Sequence, residues 1–473
     1  MIMSDVVRKL SMLVDPARIS VDAALLDELS WDALSEGRLH PRHAPQPSAP
    51  IAAVCPTTTE EVRRIVEFAN TEHVALLPFG GGSGLMSGAL SVRPCLVIDL
   101  RGMSQILEID AESHFARVQS GAVLESLDQK LNTVDFILGH DPWTVPVATV
   151  GGAISTNSVG YRAGIYGSMG EQVLGLEAVL PNGEVLHTRS VSKHSAGLQL
   201  NALLIGGEGC FGIITEATIK IFPKPQARHF VGYLFASFEQ GYAAIQAMFQ
   251  QRLRPALLDY GDDDERHDLG AVLYLVFEGN AEITALEEKL AKAICAAHHG
   301  EPLPRVETEK FWNDRHEIAR RFIRNRRQRR ERGRDGVYRD WIHVALPPSK
   351  VLAFRRAAQD LIQPRGVRLQ ESGLWIQPEL FSMRLAADDE DLPDARLILE
   401  DTIEDLLRLV QQMGGSMEYT HGVGVKLAPL MAEEHGYGLE VMRQIKRTLD
   451  RNNIMNPGKM GLDARSPEKT NDS

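Results

Sequence analysis

The chain has 473 residues, of which 44% are apolar, and its formal net charge is −12 at pH 7. This length is enough for two or three domains, and the acidic balance argues against a nucleic-acid partner and against a protein that charge alone holds on an anionic membrane. Its four cysteines are scattered without a Cys-x-x-Cys pair, which indicates free thiols in a reducing compartment, so a cytoplasmic protein is expected. Neither a signal peptide nor an apolar run long enough to span a bilayer is predicted.

The sequence of residues 1–45 predicts an N-terminal helical arm that ends in a proline-rich loop. After it, a strand over 51–54, a helix with a capping box at Thr58 and Glu61, and a strand over 74–77 form a β-α-β unit. Such a unit predicts parallel strands.

Three glycine-rich segments follow. The first, 78–85, comes after the second strand of the unit and leads into another strand, so a dinucleotide is not expected to bind there in the Rossmann manner. Such a run alone more often forms a tight turn, although glycines also let backbone N–H groups approach a phosphate. The second, 146–160, is rich in small and hydroxyl residues that can pack on a planar or phosphorylated ligand. The third is 206–212, before an alternating strand over 213–222.

The composition changes after Pro223 and Pro225. From 226 to 412 glycine clusters are absent, and strands alternate with helices, which predicts a separate α+β domain. The strands are expected at 272–277 and 341–346, and the helices at 283–298, 349–362 and 393–412. The polar tail at 464–473 is expected to be disordered.

The three glycine clusters, followed by His421-Gly422-Val423-Gly424 and Asn456-Pro457-Gly458-Lys459, resemble one family. It is the vanillyl-alcohol oxidase type of flavoprotein, whose FAD-binding domain is of the p-cresol methylhydroxylase (PCMH) type. Within it the pattern is most similar to FAD-linked 2-hydroxy acid dehydrogenases, of the D-lactate and glycolate type, and to alkyldihydroxyacetonephosphate synthase.

The resemblance implies an α+β fold, with a PCMH-type FAD-binding domain of two subdomains and an α+β substrate (cap) domain that contains an antiparallel sheet. The expected division is an arm at 1–45, an FAD-binding domain at 46–225, a substrate domain at 226–412, a C-terminal segment at 413–463 that returns to the FAD-binding domain, and the tail at 464–473.

The resemblance also implies the cofactor residues. Those expected around the FAD pyrophosphate are Phe79, Gly80, Gly81, Gly82 and Ser83. Those expected along the rest of FAD are Pro146, Thr149, Gly151, Gly152, Ser155, Thr156, Asn157, Gly207, Gly209, Ile213 and Asn456. Because the first loop and Val147 offer no His or Cys for a covalent bond, dissociable FAD is expected, while attachment from the second domain stays open.

His421 is the first candidate for the catalytic base. The equal alternative is that His421 is a buried histidine with a structural role only. Tyr419 is a weaker candidate, because alternation in an extended segment would put it on the face of His421, and core packing is the preferred alternative. From the arginine-rich run at 320–334, Arg324 is the candidate clamp for a substrate anion, although a solvated helix face explains most of that run.

The metal-dependent relatives carry histidines in the second domain, in the stretch that corresponds to residues 374–381, where this chain has none. The residue before His421, which is Thr420 here, also departs from the pattern of those relatives. No active-site metal is therefore predicted. Trp375 and Phe381 fall where the family's substrate-facing strands lie, which leaves an apolar or aromatic substrate open.

These features predict an FAD-dependent oxidoreductase that transfers a hydride from a hydroxyl-bearing carbon of a small substrate, a 2-hydroxy acid or a related alcohol, to flavin N5. A synthase-like flavin transferase without net redox and a non-catalytic flavin-binding protein are the alternatives. Oxygen, a quinone and a carrier protein all stay open as electron acceptors, as does a homodimer.

Overall fold

The computed structural model describes residues 2–34, 38–263, 270–324 and 336–463, with the backbone alone for 2–4, 263 and 321–324. The tail at 464–473 lies outside these residues, so its expected disorder stays a prediction. In the described part of the chain, no helix has both the length and the apolar character needed to cross a membrane.

The helices are α1 (Ile2–Leu10), α2 (Ala23–Leu29), α3 (Thr59–Glu72), α4 (Leu124–Asn132), α5 (Val150–Ser155), α6 (Ala163–Tyr166), α7 (Met169–Gln172), α8 (Phe238–Gln250), α9 (Ala281–Ala297), α10 (Arg305–Asp314), α11 (Glu317–Arg324), α12 (Pro348–Ile362), α13 (Ala395–Gln412), α14 (Met431–His435) and α15 (Tyr437–Leu449). The strands are β1 (Ile19–Ser20), β2 (Ala52–Val54), β3 (Ala75–Phe79), β4 (Cys95–Asp99), β5 (Ile106–Asp110), β6 (Phe115–Gln119), β7 (Phe136–Ile137), β8 (Val173–Val179), β9 (Val185–His187), β10 (Ile213–Lys220), β11 (Phe222–Pro223), β12 (Ala227–Phe235), β13 (Leu257–Asp263), β14 (Ala271–Gly279), β15 (Glu301–Pro302), β16 (Val337–Ala345), β17 (Arg368–Trp375) and β18 (Leu380–Asp388).

The first sheet has the order β1-β2-β4-β3. Both β2 and β3 pair with β4 in parallel, so the predicted parallel β-α-β unit is confirmed, with β4 between its two strands. At the start of α3, the Thr58 hydroxyl accepts a hydrogen bond from the Glu61 N–H. The Glu61 carboxylate accepts one from the N–H of Thr57 rather than Thr58, so only half of the predicted capping box forms as expected.

The second sheet is antiparallel, in the order β5-β6-β10-β8-β9. Its outer pairs, β5 with β6 and β8 with β9, are the hairpins that short polar turns produce between alternating strands. The short helix α5 packs beside β10, which places the second glycine-rich segment on this sheet.

The third sheet has seven strands in the order β15-β12-β14-β13-β17-β18-β16, and all its pairs are antiparallel. Helices α8, α9, α12 and α13 pack against it. Fully buried aromatic side chains fill the space between them: Phe235, Tyr242, Tyr260, Phe277, Phe354 and Phe381. This burial of one sheet face leaves alternate residues of each strand on the other face.

The chain after α13 joins the first sheet to the third. Ser416 bridges to Ala345 at the end of β16, and Met455 bridges in parallel to Leu76 in β3. Between them, the buried Lys446 ammonium donates hydrogen bonds to the carbonyl oxygens of Cys210 and Met455. Residues 416–456 therefore span the region between the two sheets.

Candidate functional site

A cavity of about 1020 Å³ lies where the glycine-rich segments, the third sheet and the C-terminal segment meet. Most of the predicted cofactor residues line it: Phe79, Gly80, Gly81, Gly82, Ser83, Thr149, Gly151, Gly152, Ser155, Thr156, Gly209, Ile213 and Asn456. The remaining three, Pro146, Asn157 and Gly207, are outside its lining. Asn157 instead accepts a hydrogen bond from the Gly170 N–H, at 3.0 Å.

The first two glycine-rich segments lie backbone to backbone. A Cβ on Gly81 would lie 2.0 Å from the Val147 carbonyl oxygen, a distance at which two atoms overlap. Gly82 has a φ of +61°, in the left-handed region that glycine adopts at little cost. Thr149 begins α5, and its hydroxyl accepts a hydrogen bond from the Gly152 N–H at 3.3 Å. The cavity wall here is therefore mostly exposed backbone.

The third segment is fixed by a buried carboxylate. Glu208 accepts hydrogen bonds from the N–H groups of Val423 (2.6 Å) and Gly424 (2.8 Å). Burial raises the pKa of the Glu208 carboxyl to about 7, although these two N–H groups favour its ionised form. The Asn456 amide donates hydrogen bonds to the Gly88 and Glu208 carbonyl oxygens, at 3.1 and 2.7 Å. Glu208 and Asn456 thus connect the glycine loops to the C-terminal segment.

The opposite wall is one face of β16 and β18. Trp341 of β16 lies directly opposite Arg384 of β18. On β16, Arg339 is two residues before Trp341 and His343 is two residues after it. Because side chains alternate between the faces of a strand, these four share a face, and all of them line the cavity. Sequence reasoning gave a role to none of them, although the spacing of Arg339, Trp341 and His343 by two residues was a usable signal.

The two aromatic residues that were predicted to face the substrate lie in different environments. Trp375 lines the cavity and lies against Tyr161, with ring centroids 5.1 Å apart. Phe381 instead packs in the core, edge-on to Phe354 at 5.8 Å. The expectation for Phe381 is wrong because side chains alternate between the two faces of β18. Phe381 is an odd number of residues from Ser382 and from Arg384, so it points to the opposite face of the strand.

His421 lines the cavity beside a second imidazole. Its ring meets that of His343 edge to face, with centroids 4.5 Å apart, and its Nδ1 lies 3.4 Å from Glu418 Oε1. Burial holds the pKa of His343 well below its usual range, and the adjacent His421 lowers it further. His343 is therefore neutral, so it puts no positive charge next to His421.

Tyr419 is not in the lining, although Thr420 and His421 are. Glu418 Oε1 accepts hydrogen bonds from the N–H groups of Tyr419, Thr420 and His421, which bends this segment. The alternation expected of an extended segment is therefore wrong here. The Tyr419 hydroxyl is buried and has no hydrogen-bond partner among the described residues, and burial, with Glu418 and Asp259, raises its pKa well above the usual value.

Among the described residues, His343, Glu418 and His421 each bring a possible metal-ligand atom within 4.8 Å of the others. The sequence comparison with metal-dependent relatives did not consider His343, which lies on a different strand from the expected histidines. The absence of a metal stays a prediction.

Arg324 ends α11, and its side chain lies outside the described residues. Earlier in the same region, Arg315 binds the buried Asp141, with 2.9 Å between Nε and Oδ2. Besides Arg339, two other arginines reach the cavity instead. They are Arg384 and, from the N-terminal arm, Arg38, whose Nε donates to Asp340 Oδ1 at 2.6 Å.

Comparison with known families gives two matches. Residues 50–189 match the FAD binding domain family, and residues 224–460 match the family described as FAD linked oxidases, C-terminal domain. Together these segments contain all the predicted cofactor and catalytic residues except Gly207, Gly209 and Ile213.

Among curated proteins, the chain is 27% identical to the glycolate oxidase subunit GlcD of Bacillus subtilis, over 91% of this chain and 94% of that protein. It is 29% identical to a D-lactate dehydrogenase of Archaeoglobus fulgidus, over 91% and 95%. Among solved structures, it matches p-cresol methylhydroxylase with a TM-score of 0.77 and 19% identity, over 97% of both chains. It matches an alkyldihydroxyacetonephosphate synthase with a TM-score of 0.77 and 21% identity, over 96% of this chain and 85% of the other. These structures confirm the predicted fold class.

Proposed function

This chain belongs to the FAD-linked oxidases, and we propose that it oxidises a hydroxyl-bearing carbon of a small organic molecule, a 2-hydroxy acid or a related alcohol. It is an FAD-dependent oxidoreductase, and the two curated relatives are named for glycolate and D-lactate, which are both 2-hydroxy acids. The observation that carries the proposal is that one cavity joins backbone loops suited to a dinucleotide with an imidazole and an arginine suited to a hydroxy acid.

The residues present fit FAD. At about 1020 Å³, the cavity is at the upper end of the ~300–1,000 Å³ of ligand sites, as a dinucleotide requires. Its glycine wall presents backbone where a Cβ would collide, and two buried polar atoms on its lining residues, Ser120 Oγ and Asn456 Oδ1, have no partner in the described structure. We propose that FAD contacts the predicted cofactor residues that line the cavity, and that Pro146, Asn157 and Gly207 shape the loops behind them.

When bound, the flavin supplies a hydride acceptor for the substrate carbon. We propose that His421 takes the proton of the substrate hydroxyl, because imidazole is the side chain that most often moves protons near neutral pH. With a proton on Nδ1 beside Glu418 Oε1, Nε2 is the atom that accepts. Tyr419, whose hydroxyl stays protonated, would position this segment rather than touch the substrate.

The domain division is proposed on the sheets. The strands of the first two sheets lie between residues 19 and 220, and those of the third between 227 and 388. This arrangement supports an FAD-binding domain at 46–225 and a substrate domain at 226–412, with residues 413–463 connecting the two.

The test is an absorbance spectrum of the purified protein before and after acid precipitation, followed by anaerobic additions of glycolate, D-lactate and L-lactate. We expect flavin bands that move to the supernatant, and bleaching of those bands by at least one 2-hydroxy acid. Colour that stays in the pellet would contradict dissociable FAD and would point to His343 or His421 as anchors. Retained flavin that neither hydroxy acids nor simple alcohols bleach would contradict the proposed reaction.

A second candidate is a synthase-like flavin transferase without net redox. The observation that favours it is the group of Tyr419, His343 and His421, since the synthase branch uses a tyrosine with a cluster of histidines. Turnover of an acyl-glycerone phosphate without bleaching of the flavin would support this candidate over the first.

The electron acceptor and the compartment are further proposals. The four cysteines are free thiols, three of them buried, which supports the cytoplasm. Oxygen, a quinone and a carrier protein are distinguished by reoxidation of the reduced enzyme with each in turn. A fast reaction with oxygen would make the enzyme an oxidase, and a slow one would make it a dehydrogenase.

A further inference from the structure

Outside the cavity, the N-terminal arm meets α13 through two imidazoles and two carboxylates. The N–H of His43 donates a hydrogen bond to the His40 carbonyl oxygen at 3.1 Å. This turn has Pro41 at its second position, and it brings the rings of His40 and His43 together, with centroids 4.6 Å apart. Opposite them, α13 presents two carboxylates three residues apart, which share one face of the helix. The four side chains, which we call the arm cluster, are His40, His43, Asp401 and Glu404.

The donor atoms of the arm cluster are spaced like the ligands of one small cation. Glu404 Oε1 lies 3.8 Å from His40 Nε2 and 3.4 Å from His43 Nε2, and the three atoms all lie within 4.8 Å of one another. Asp401 Oδ1 lies 3.0 Å from His40 Nε2. In a tetrahedral site, zinc bonds of about 2.0–2.1 Å put neighbouring ligand atoms about 3.3–3.4 Å apart. Small side-chain rotations would therefore let these atoms share an ion.

The neighbouring arginines hold the two carboxylates from outside. Arg42 binds Asp401 with two hydrogen bonds, at 2.8 and 3.1 Å. Arg408 donates to Glu404 Oε2 at 3.0 Å, which turns Oε1 toward the imidazoles. Hydrogen bonds of this kind orient the ligands of metal sites. Because two arginines balance two carboxylates, the imidazoles rather than a net negative charge decide which cation binds.

We propose that the arm cluster binds one Zn²⁺ ion, through His40 Nε2, His43 Nε2 and the two carboxylates, and that the ion clamps the N-terminal arm to α13. Two imidazoles favour Zn²⁺ over Mg²⁺ and Ca²⁺, which prefer oxygen ligands alone. His40 Nδ1 accepts a hydrogen bond from the Arg42 N–H at 3.1 Å, so the neutral ring carries its proton on Nε2. When the ion takes Nε2, this proton moves to Nδ1 and that one bond is lost. A single backbone hydrogen bond contributes less than a zinc ligand.

The clamp lies next to the part of the arm that reaches the cavity. Arg38, two residues before His40, lines the cavity, and its guanidinium carbon is 5.0 Å from the ring centroid of Trp341. Its Nε also donates to Asp340. Because these two contacts hold Arg38 without the ion, loss of Zn²⁺ should loosen the arm after this residue and leave the rate of flavin reduction unchanged.

The test is a calorimetric titration of Zn²⁺, and separately of Mg²⁺, into the FAD-loaded enzyme after dialysis against EDTA. We expect Mg²⁺ to bind at least about 100-fold more weakly than Zn²⁺. His43→Asn keeps a hydrogen-bond donor but offers only an amide to the metal, so it should weaken Zn²⁺ binding at least about 100-fold. The matched control is His187→Ala, which removes a single exposed imidazole 3.4 Å from the Glu177 carboxylate. It should leave the Zn²⁺ affinity within about twofold of wild type.

A second readout is the rate at which trypsin cuts the arm after the exposed Arg42. With free Zn²⁺ at about ten times its Kd, the opened population of the arm, and with it the cleavage rate, should fall about tenfold in wild type and stay unchanged in His43→Asn.

Equal Zn²⁺ affinity in wild type and His43→Asn would overturn the site, and would leave the arm cluster as hydrogen bonds and ion pairs alone. Mg²⁺ that binds as tightly as Zn²⁺ would also overturn it, because the imidazoles would then not be ligands. Zn²⁺ that binds through His43 without slowing cleavage would overturn the clamp. No outcome depends on flavin reduction, so this site and the proposed function can fail separately.

Discussion

The two walls of the cavity are built on different principles. The wall from residues 79–84 and 149–156 is backbone, in which close approach excludes side chains. The wall from β16 and β18 is side chains, in which strand alternation sets Trp341, His343 and Arg384 on one face. The first wall suits a cofactor that every member of a family shares. The second can change residue by residue without disturbing the first, so it is where substrate selection is expected to lie.

The strongest test of this difference between the walls is to add a side chain to the backbone wall. For Gly81→Ala we expect loss of FAD from the purified protein, a fall in affinity of at least about 100-fold, or about 2.7 kcal/mol. The reason is that the new Cβ would lie 2.0 Å from the Val147 carbonyl oxygen, and the two loops must separate. The measurement is the ratio of flavin to protein absorbance.

Gly438→Ala is the matched control. This glycine lies in α15, and its nearest neighbour would be ordinary contact with His435 Cβ at 3.5 Å. It should keep its full flavin content. Equal flavin content in the Gly81 and Gly438 variants would show that the backbone wall does not hold the cofactor.

A change at His421, which lies against His343 of the side-chain wall, should leave FAD in place and slow the chemistry. For His421→Asn we expect normal flavin content and an anaerobic flavin-reduction rate lowered about 10²–10⁴-fold, the usual contribution of a proton-transfer group. His435→Asn, an exposed histidine in α14, is the control and should react as wild type. A His421→Asn enzyme that reduces its flavin at the wild-type rate would leave the histidine with a structural role alone.

Glu208 joins the third glycine-rich segment to the C-terminal segment, and its charge should be visible in the pH dependence of stability. Its pKa in the folded protein is about 7, above the unfolded value of 4.5, so the folded state binds more protons between these values. The free energy of unfolding should therefore fall as pH rises from about 4.5 to 7, by on the order of 2–3 kcal/mol from this group. Asp32, with a pKa raised by burial to about 6, acts in the same direction.

Glu208→Gln removes this titration while it keeps an acceptor for the Val423 N–H. We expect a shallower loss of stability between pH 5 and 7 than in wild type, measured by urea unfolding at fixed FAD concentration. Glu301→Gln, at an exposed position, should follow the wild-type curve. The assignment of the buried carboxyl fails if the Glu208→Gln and wild-type curves run parallel.

The same contrast explains what the sequence could predict. The loops around Gly81, Thr149 and Gly209 were found because close backbone approach demands glycine and small residues in consecutive positions. The parallel strands around α3 followed from hydrophobic periodicity in the same local way, whereas the antiparallel sheet of the second domain was implied by the resemblance to the family.

The side-chain wall depends on pairings between distant residues, and sequence spacing does not set them. Trp341 and Arg384 meet only because β16 and β18 are neighbours in one register, and Arg38 comes from the N-terminal arm. Phe381 was misplaced because a shift of one residue along a strand reverses the face. His343 was missed because its partner His421 is held by a bend that Glu418 makes, a contact that alternation cannot anticipate.

The smallest effect is expected from a chelator. His343, Glu418 and His421 could in principle bind a divalent ion, but Glu418 Oε1 already accepts three backbone hydrogen bonds, at 2.7 to 3.0 Å. A metal that took this oxygen would compete with all three, and the bend that presents His421 would loosen. We therefore expect dialysis against EDTA to leave the anaerobic rate of flavin reduction unchanged within about twofold, because imidazole and arginine suffice to bind and deprotonate a hydroxy acid. Loss of activity that Zn²⁺ restores would contradict this, and would mean that the side-chain wall uses the ion in place of His421 as the group next to the substrate hydroxyl.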